Sequence, residues 1–214
     1  MKYSILSQNI SIVVLGTFNP ETIDPIWMVK KNILAIEDLE NGCKSSSDTL
    51  FFKTSKFEVL VTCDRIQVVS FNISDSDIIS QFVIKLLMCL KTKELKAVGI
   101  NSQKIFSLFN DSDMLDFCHH FAPLNALGPI SSNSLMLNIE WESCGEPRTD
   151  ISPIKQISLK RVFYGENNRS FCISVNNHHK VNTFFDAISI VKLNAYDLHL
   201  LFNNQFANMM KSIN

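Results

Sequence analysis

A chain of 214 residues with 46% hydrophobic residues, 19% charged residues and a formal net charge of −1 is long enough to bury a core and has the balance of a globular protein. Six glycines and six prolines exclude a collagenous chain, and no run of eighteen residues is both apolar and free of charge, so no membrane-crossing helix is expected. The near-zero net charge supplies no overall pull toward nucleic acid or an anionic membrane.

Residues 10–15 form a β-branched apolar run that stops at Gly16, which predicts a strand, and Asn19-Pro20 then turns the chain. Asp24 before Pro25 is a helix cap followed by the residue favoured at the first helical position, so a short helix over 25–34 is expected, with Trp27 in its first turn. Residues 40–48, with Gly42 and three serines, read as a surface loop. Residues 50–52 and 57–71 are strand-like. Phe57, Val59, Val61 and Cys63 alternate with more polar neighbours, and Asp64-Arg65 marks a turn between two strands. Ser74 or Asp75 is expected to cap a helix whose apolar residues Ile78, Ile79, Phe82, Val83, Leu86, Leu87 and Leu90 recur at helical spacing.

A further strand is expected over 96–108 and a short helix over 112–121. Residues 122–134, with Pro123, Gly128 and Pro129, are the least regular stretch and the expected boundary. Beyond it, 135–141, 156–164 and 171–181 read as strands. Leu198, Leu201, Phe202, Phe206, Met209 and Ile213 mark a last helix, read as starting from Asn194. The fold class is therefore α+β: antiparallel sheet covered by amphipathic helices, with the strand and helix order pointing to two similar β-β-β-α halves at 1–127 and 128–214, or to one compact domain. In that reading residues 57–61 correspond to 171–175 at an offset of 114.

The cysteines at 43, 63, 89, 118, 144 and 172 are scattered evenly, without the close pairs of a zinc site or the density of a disulfide scaffold. The first fifteen residues carry one lysine and no small-residue cleavage site, so no secretory leader is expected. Reduced thiols and a cytoplasmic location follow as expectations. Four of the five histidines form the adjacent pairs His119-His120 and His178-His179, which point apart on a helix or a strand and make poor shared ligands. Cys118 beside His119 is likewise not oriented as a nucleophile and its base. The glycines are too sparse for a phosphate-binding loop or a Rossmann turn, and Gly-x-Ser-x-Gly is missing. Glu140 and Glu142 would share a strand face without a partner motif. Neither a metal nor a cofactor is expected.

Charge is uneven along the chain. Seven acids against Arg148 occupy 108–150, and five bases against Glu166 occupy 155–180. The basic stretch interleaves Lys160, Arg161 and Arg169 with Phe163, Tyr164 and Phe171, a combination that single-stranded nucleic acid uses. Strand alternation would turn Arg161 and Phe163 away from Lys160 and Tyr164 and send Phe163 toward the core. The most individual stretch places Asn19, Trp27 and Lys30 around a turn and a short helix, where an aromatic anchor would suit a partner. The expected function is a non-catalytic intracellular binding or assembly protein acting through protein contacts or self-association. Its candidate contact residues are Asn19, Trp27, Lys30, Lys160, Arg161, Tyr164 and Arg169. The alternatives are a single-stranded nucleic-acid binder using 155–180 and a Cys/His-dependent hydrolase.

Overall fold

The computed structural model describes residues 2–40, 42–90, 94–121, 138–144, 153–164 and 167–213. The fold is α+β, built on one nine-stranded antiparallel sheet. Its strands are β1 (Tyr3–Gly16), β2 (Lys44–Ser45), β3 (Thr49–Lys53), β4 (Glu58–Thr62), β5 (Arg65–Ser70), β6 (Leu95–Leu108), β7 (Asn138–Cys144), β8 (Ile154–Tyr164) and β9 (Asn167–Lys180). They lie side by side in the order β2-β3-β4-β5-β1-β6-β9-β8-β7. The helices are α1 (Pro25–Lys30), α2 (Ser76–Leu90), α3 (Asp111–Phe121) and α4 (Phe184–Ser212). None of the described helices is long and apolar enough to cross a membrane.

Along the chain, β1-α1-β2-β3-β4-β5-α2 is followed by β6-α3-β7-β8-β9-α4, so the first half carries one strand more than the second. The two long strands β1 and β6 meet antiparallel at the middle of the sheet, from Tyr3 opposite Leu108 to Gly16 opposite Leu95. Because β6 pairs with β1 on one side and with β9 on the other, the ladder is unbroken across the chain. The expected boundary at residue 128 lies outside the described residues.

Local sequence rules explain most element ends. The Asp24 carboxylate accepts a hydrogen bond from the Trp27 backbone N–H at 2.7 Å, capping α1, and the helix stops four residues earlier than expected, before Asn32 at φ 54°. Before α2, a 3-10 turn over Ile73–Asp75 is capped by Asn72, and Asp75 is buried with its carboxylate accepting from the Ser70 hydroxyl at 3.1 Å. Helix α4 corrects the expected start at Asn194, since it begins ten residues earlier. Thr183 caps it through the Asp186 N–H, and the Asp186 carboxylate reaches back to the Thr183 N–H, so both orphan donors are satisfied. Asn194 sits inside the helix and donates to the Ile190 carbonyl.

The strands have two different faces. On one, Ile10, Ile12 and Val14 of β1, Val59 and Val61 of β4, Ile66 and Val68 of β5 and Val98 and Ile100 of β6 share a buried cluster with α2 and with Ala187, Val191 and Ala195 of α4. A second cluster joins Phe106, Leu159, Phe171, Ile173 and Val175 to Phe117 of α3 and to Phe202, Phe206 and Met210 of α4. Phe106 is fully buried, with its ring centroid 5.3 to 6.4 Å from those of Tyr3, Phe117, Phe171 and Phe206. The opposite face carries amides and hydroxyls over β1, β6, β8 and β9, and Leu60 and Val69 on β4 and β5.

Candidate functional site

The face opposite the apolar clusters holds shallow depressions, two of them lined mainly by polar side chains. Alternation along β1, β5, β6, β8 and β9 sends Asn9, Ser11, Gln67, Asn101, Gln103, Ser158, Ser174 and Asn176 to that side, opposite the apolar clusters. Two troughs of about 340 Å³ each share Ser174 and Asn176. One runs over β7 and β8, the other over β5, β1 and β6. Their floor is largely bonded to itself. Asn9 donates to Gln103 at 2.9 Å, Asn101 donates to Ser11 at 3.2 Å, Gln103 donates to the Cys172 sulfur at 2.8 Å, and the Ser158 and Ser174 hydroxyls lie 2.7 Å apart. Asn176 Oδ1 is buried and has no hydrogen-bond partner among the described residues.

The charged end of this face is the β7–β8 edge. Glu140 and Glu142 do share a face there, and Lys160 approaches Glu140 with Nζ 3.5 Å from Oε1. The Glu140 carboxyl is held below its ordinary range by a hydrogen bond from Asn138 and, second, by Lys160. All three groups are solvated, which suits a strand-edge ion pair rather than a carboxylate tuned for proton transfer.

The basic and aromatic segment divides as alternation requires. Lys160 pairs across from Cys172 and lies on the polar face, whereas Arg161 is opposite Phe171 and lies on the helix face. A register shift between Val162 and Tyr164 breaks the alternation at the strand end. Phe163 is 77% exposed rather than buried in the core, and the Arg161 guanidinium lies 5.6 Å from its ring centroid. Tyr164 is exposed, and Arg169 donates to the Phe109 carbonyl at 2.9 Å. The sheet thus brings Arg161, Phe163 and Tyr164 to one strand end and separates Lys160 from Arg161.

At the other end of the molecule, Asn19 is exposed and its side chain accepts from the Glu21 N–H, closing the turn before α1. Trp27 is half-buried against the first apolar cluster, and Lys30 is exposed in the last turn of α1. These three lie on the connection from β1 to β2, away in the sequence and in the sheet order from β8 and β9.

Between the two apolar clusters runs a polar seam that composition did not reveal. Along β6 the covered side reads Val98, Ile100, Ser102, Lys104, Phe106, and along α4 His199 falls between Ala195 and Phe202. His199 is 1% exposed, with Nδ1 2.6 Å from the Ser102 hydroxyl and Nε2 buried without a partner among the described residues. Burial depresses its pKa from 6.5 to about 4, so the ring is neutral. Burial also lowers the Lys104 pKa, and the ammonium lies 4.9 and 5.8 Å from the ring centroids of Phe206 and Phe202. A Ser–His contact has the form of a nucleophile and its base, yet both residues are enclosed in the core, where substrate has no approach. The helical register of α4 carried the information: His199 is four residues after Ala195 on the apolar stripe.

The remaining histidines do not gather. His119 and His120 lie on α3, while His178 and His179 face opposite sides of β9. Among the described residues no three His, Cys, Asp or Glu side chains are placed to hold a metal ion. Cys118 is buried in the second apolar cluster.

Among the described residues, the outer side of α4 carries several exposed apolar side chains. Its inner side, from Ala187 through Val191, Ala195, His199, Phe202 and Phe206 to Met210, is buried. On the outer side Phe185, Leu193, Tyr196 and Leu200 are 67%, 69%, 56% and 46% exposed. Met88 on the neighbouring helix α2 is also exposed. The chain matches no protein-family model, and no curated protein matches it at a significant level.

Proposed function

We propose that this protein is a non-catalytic binding module that joins a protein assembly through the outer side of α4. The observation that carries the reading is the row Leu193, Tyr196 and Leu200. These are three large apolar side chains at helical spacing, each about half or more exposed, on a helix whose other side is already buried. Single exposed apolar residues are ordinary, whereas a row along one helix forms a strip that a partner helix or groove can cover. The exposed free thiols Cys43, Cys63 and Cys89 support a reducing, cytoplasmic setting for that assembly.

The nucleic-acid alternative finds less support in the geometry. Lys160 is paired with Glu140, Arg161 lies on the other side of the sheet, and Arg169 is engaged with a backbone carbonyl. The hydrolase alternative loses its nucleophile to the core at Cys118. Replacing Leu193→Glu together with Leu200→Glu should leave the thermal melt of the purified protein within a few degrees of wild type, because both sites are exposed. The tagged double variant should lose the proteins that co-purify with wild type. Full retention of those proteins by the folded variant would rule out α4 as the binding surface.

A further inference from the structure

Taking the binding reading of α4 as its basis, we infer that the occupant of this face is a second copy of the same chain, its α4 packed parallel to the first in a two-fold dimer. The residues supply both halves of the argument. Leu193, Tyr196 and Leu200 follow one another at intervals of three and four, and the same spacing continues to Ser189 before them and to Asn203 and Ala207 after, the a and d positions of a two-stranded coiled coil with three large apolar residues at its centre and a polar Asn203 beyond. Helix α4 has 29 residues, about 43 Å of axis, so this seam has room to run beyond a single turn.

Charge selects the orientation. Lys192 and Asp197 flank the seam on opposite sides, directly before Leu193 and directly after Tyr196. Both are exposed, and neither has an ion-pair partner among the described residues. In a parallel pair, a residue just before the first seam position faces the residue five places later on the other helix. Lys192 of each copy therefore meets Asp197 of the other, while Leu193, Tyr196 and Leu200 each meet their own counterparts. An antiparallel pair turns the Lys192 side of one helix to the Lys192 side of the other. It brings opposite charges together by setting Lys211 against Asp186, whose carboxylate already serves the backbone N–H groups of Asn182 and Thr183. That register also places Leu193 against Asn204 and Leu200 against Asp197, apolar against polar. The parallel arrangement alone matches both the seam and its charges.

Light scattering across a concentration series tests this. Wild type should shift with concentration from the 24.3 kDa chain toward twice that mass. Lys192→Asp or Asp197→Lys alone turns both cross-pairs repulsive and should weaken the dimer on the order of tenfold, and the two together should restore it. Leu193→Glu with Leu200→Glu, or Tyr196→Asp as a second route, should leave a folded monomer. A wild-type protein that stays monomeric at its highest soluble concentration overturns the self-pairing, while the binding reading is judged separately by the proteins that co-purify. A dimer that survives Leu193→Glu with Leu200→Glu shows that the copies meet elsewhere, and failure of the double charge exchange to restore association overturns the parallel register.

Discussion

Strand β6 has two sides that differ in almost every respect. Toward the helices it presents Val98, Ile100, Phe106 and Leu108, all essentially dry, interrupted by Ser102 and Lys104. Toward the polar face it presents Gly99, Asn101 and Gln103, and the two amides bond to side chains of β1 and β9. The same backbone ladder serves both sides, so the contrast isolates what side chains contribute. One side is held by excluding water from apolar surface and the other by satisfying amides that water would serve nearly as well.

The sharpest way to break that contrast is Phe106→Ala. It removes a ring packed among four others and should cost about 3–5 kcal/mol in urea unfolding. A loss below about 1 kcal/mol would mean that the second cluster closes around the gap or contributes little.

Acid should probe the polar seam within the dry side. His199 is buried neutral, with a folded pKa of about 4 against an ordinary 6.5. The unfolded chain therefore takes up a proton first as pH falls. Stability is whole above about pH 6.5 and declines through the interval down to about pH 4, by at most about 3 kcal/mol. His179, held low by burial and then by His178, acts in the same direction. Unfolding free energies measured at pH 7, 6 and 5 should decline more gently for His199→Gln than for wild type. Identical slopes would show that His199 does not carry the acid sensitivity.

On the polar face, Asn101→Ala deletes a part-buried hydrogen bond to Ser11 and should cost only about 0.5–1.5 kcal/mol. A cost approaching that of Phe106→Ala would show that the amide floor acts as a second core.

Much of this fold is legible from local chemistry. Asp24-Pro25 marks α1, Asp64-Arg65 marks the turn between β4 and β5, and the apolar spacing from Ile78 to Leu90 marks α2. The misses have physical reasons. The start of α4 is hidden because Thr183 and Asp186 form a capping box with aspartate in place of glutamate, and Asn194 looks like a cap while bonding inside the helix. Phe163 lies at the end of β8, where pairing with β9 shifts register, and it is exposed rather than part of the second apolar cluster. Of the residues singled out for contact, Lys160, Arg161, Tyr164 and Arg169 lie on adjoining strands but on different sides, and Asn19, Trp27 and Lys30 lie elsewhere. The α4 strip was not read from the sequence: the expected helix began after Leu193, and its expected apolar stripe included Leu201, which is 50% exposed.

By itself, then, the amino-acid order determined most of the kinds of element and some of their limits, such as those of α2 and β6, because these follow from hydrogen-bond caps and from periods of 2 and 3.6 residues. Only the tertiary structure decided that β1 and β6 join all nine strands into one sheet, that Ser102 meets His199 across 97 residues of chain, and that Leu193, Tyr196 and Leu200 face outward. Those outcomes depend on contacts between distant segments, and no short window of sequence contains both partners.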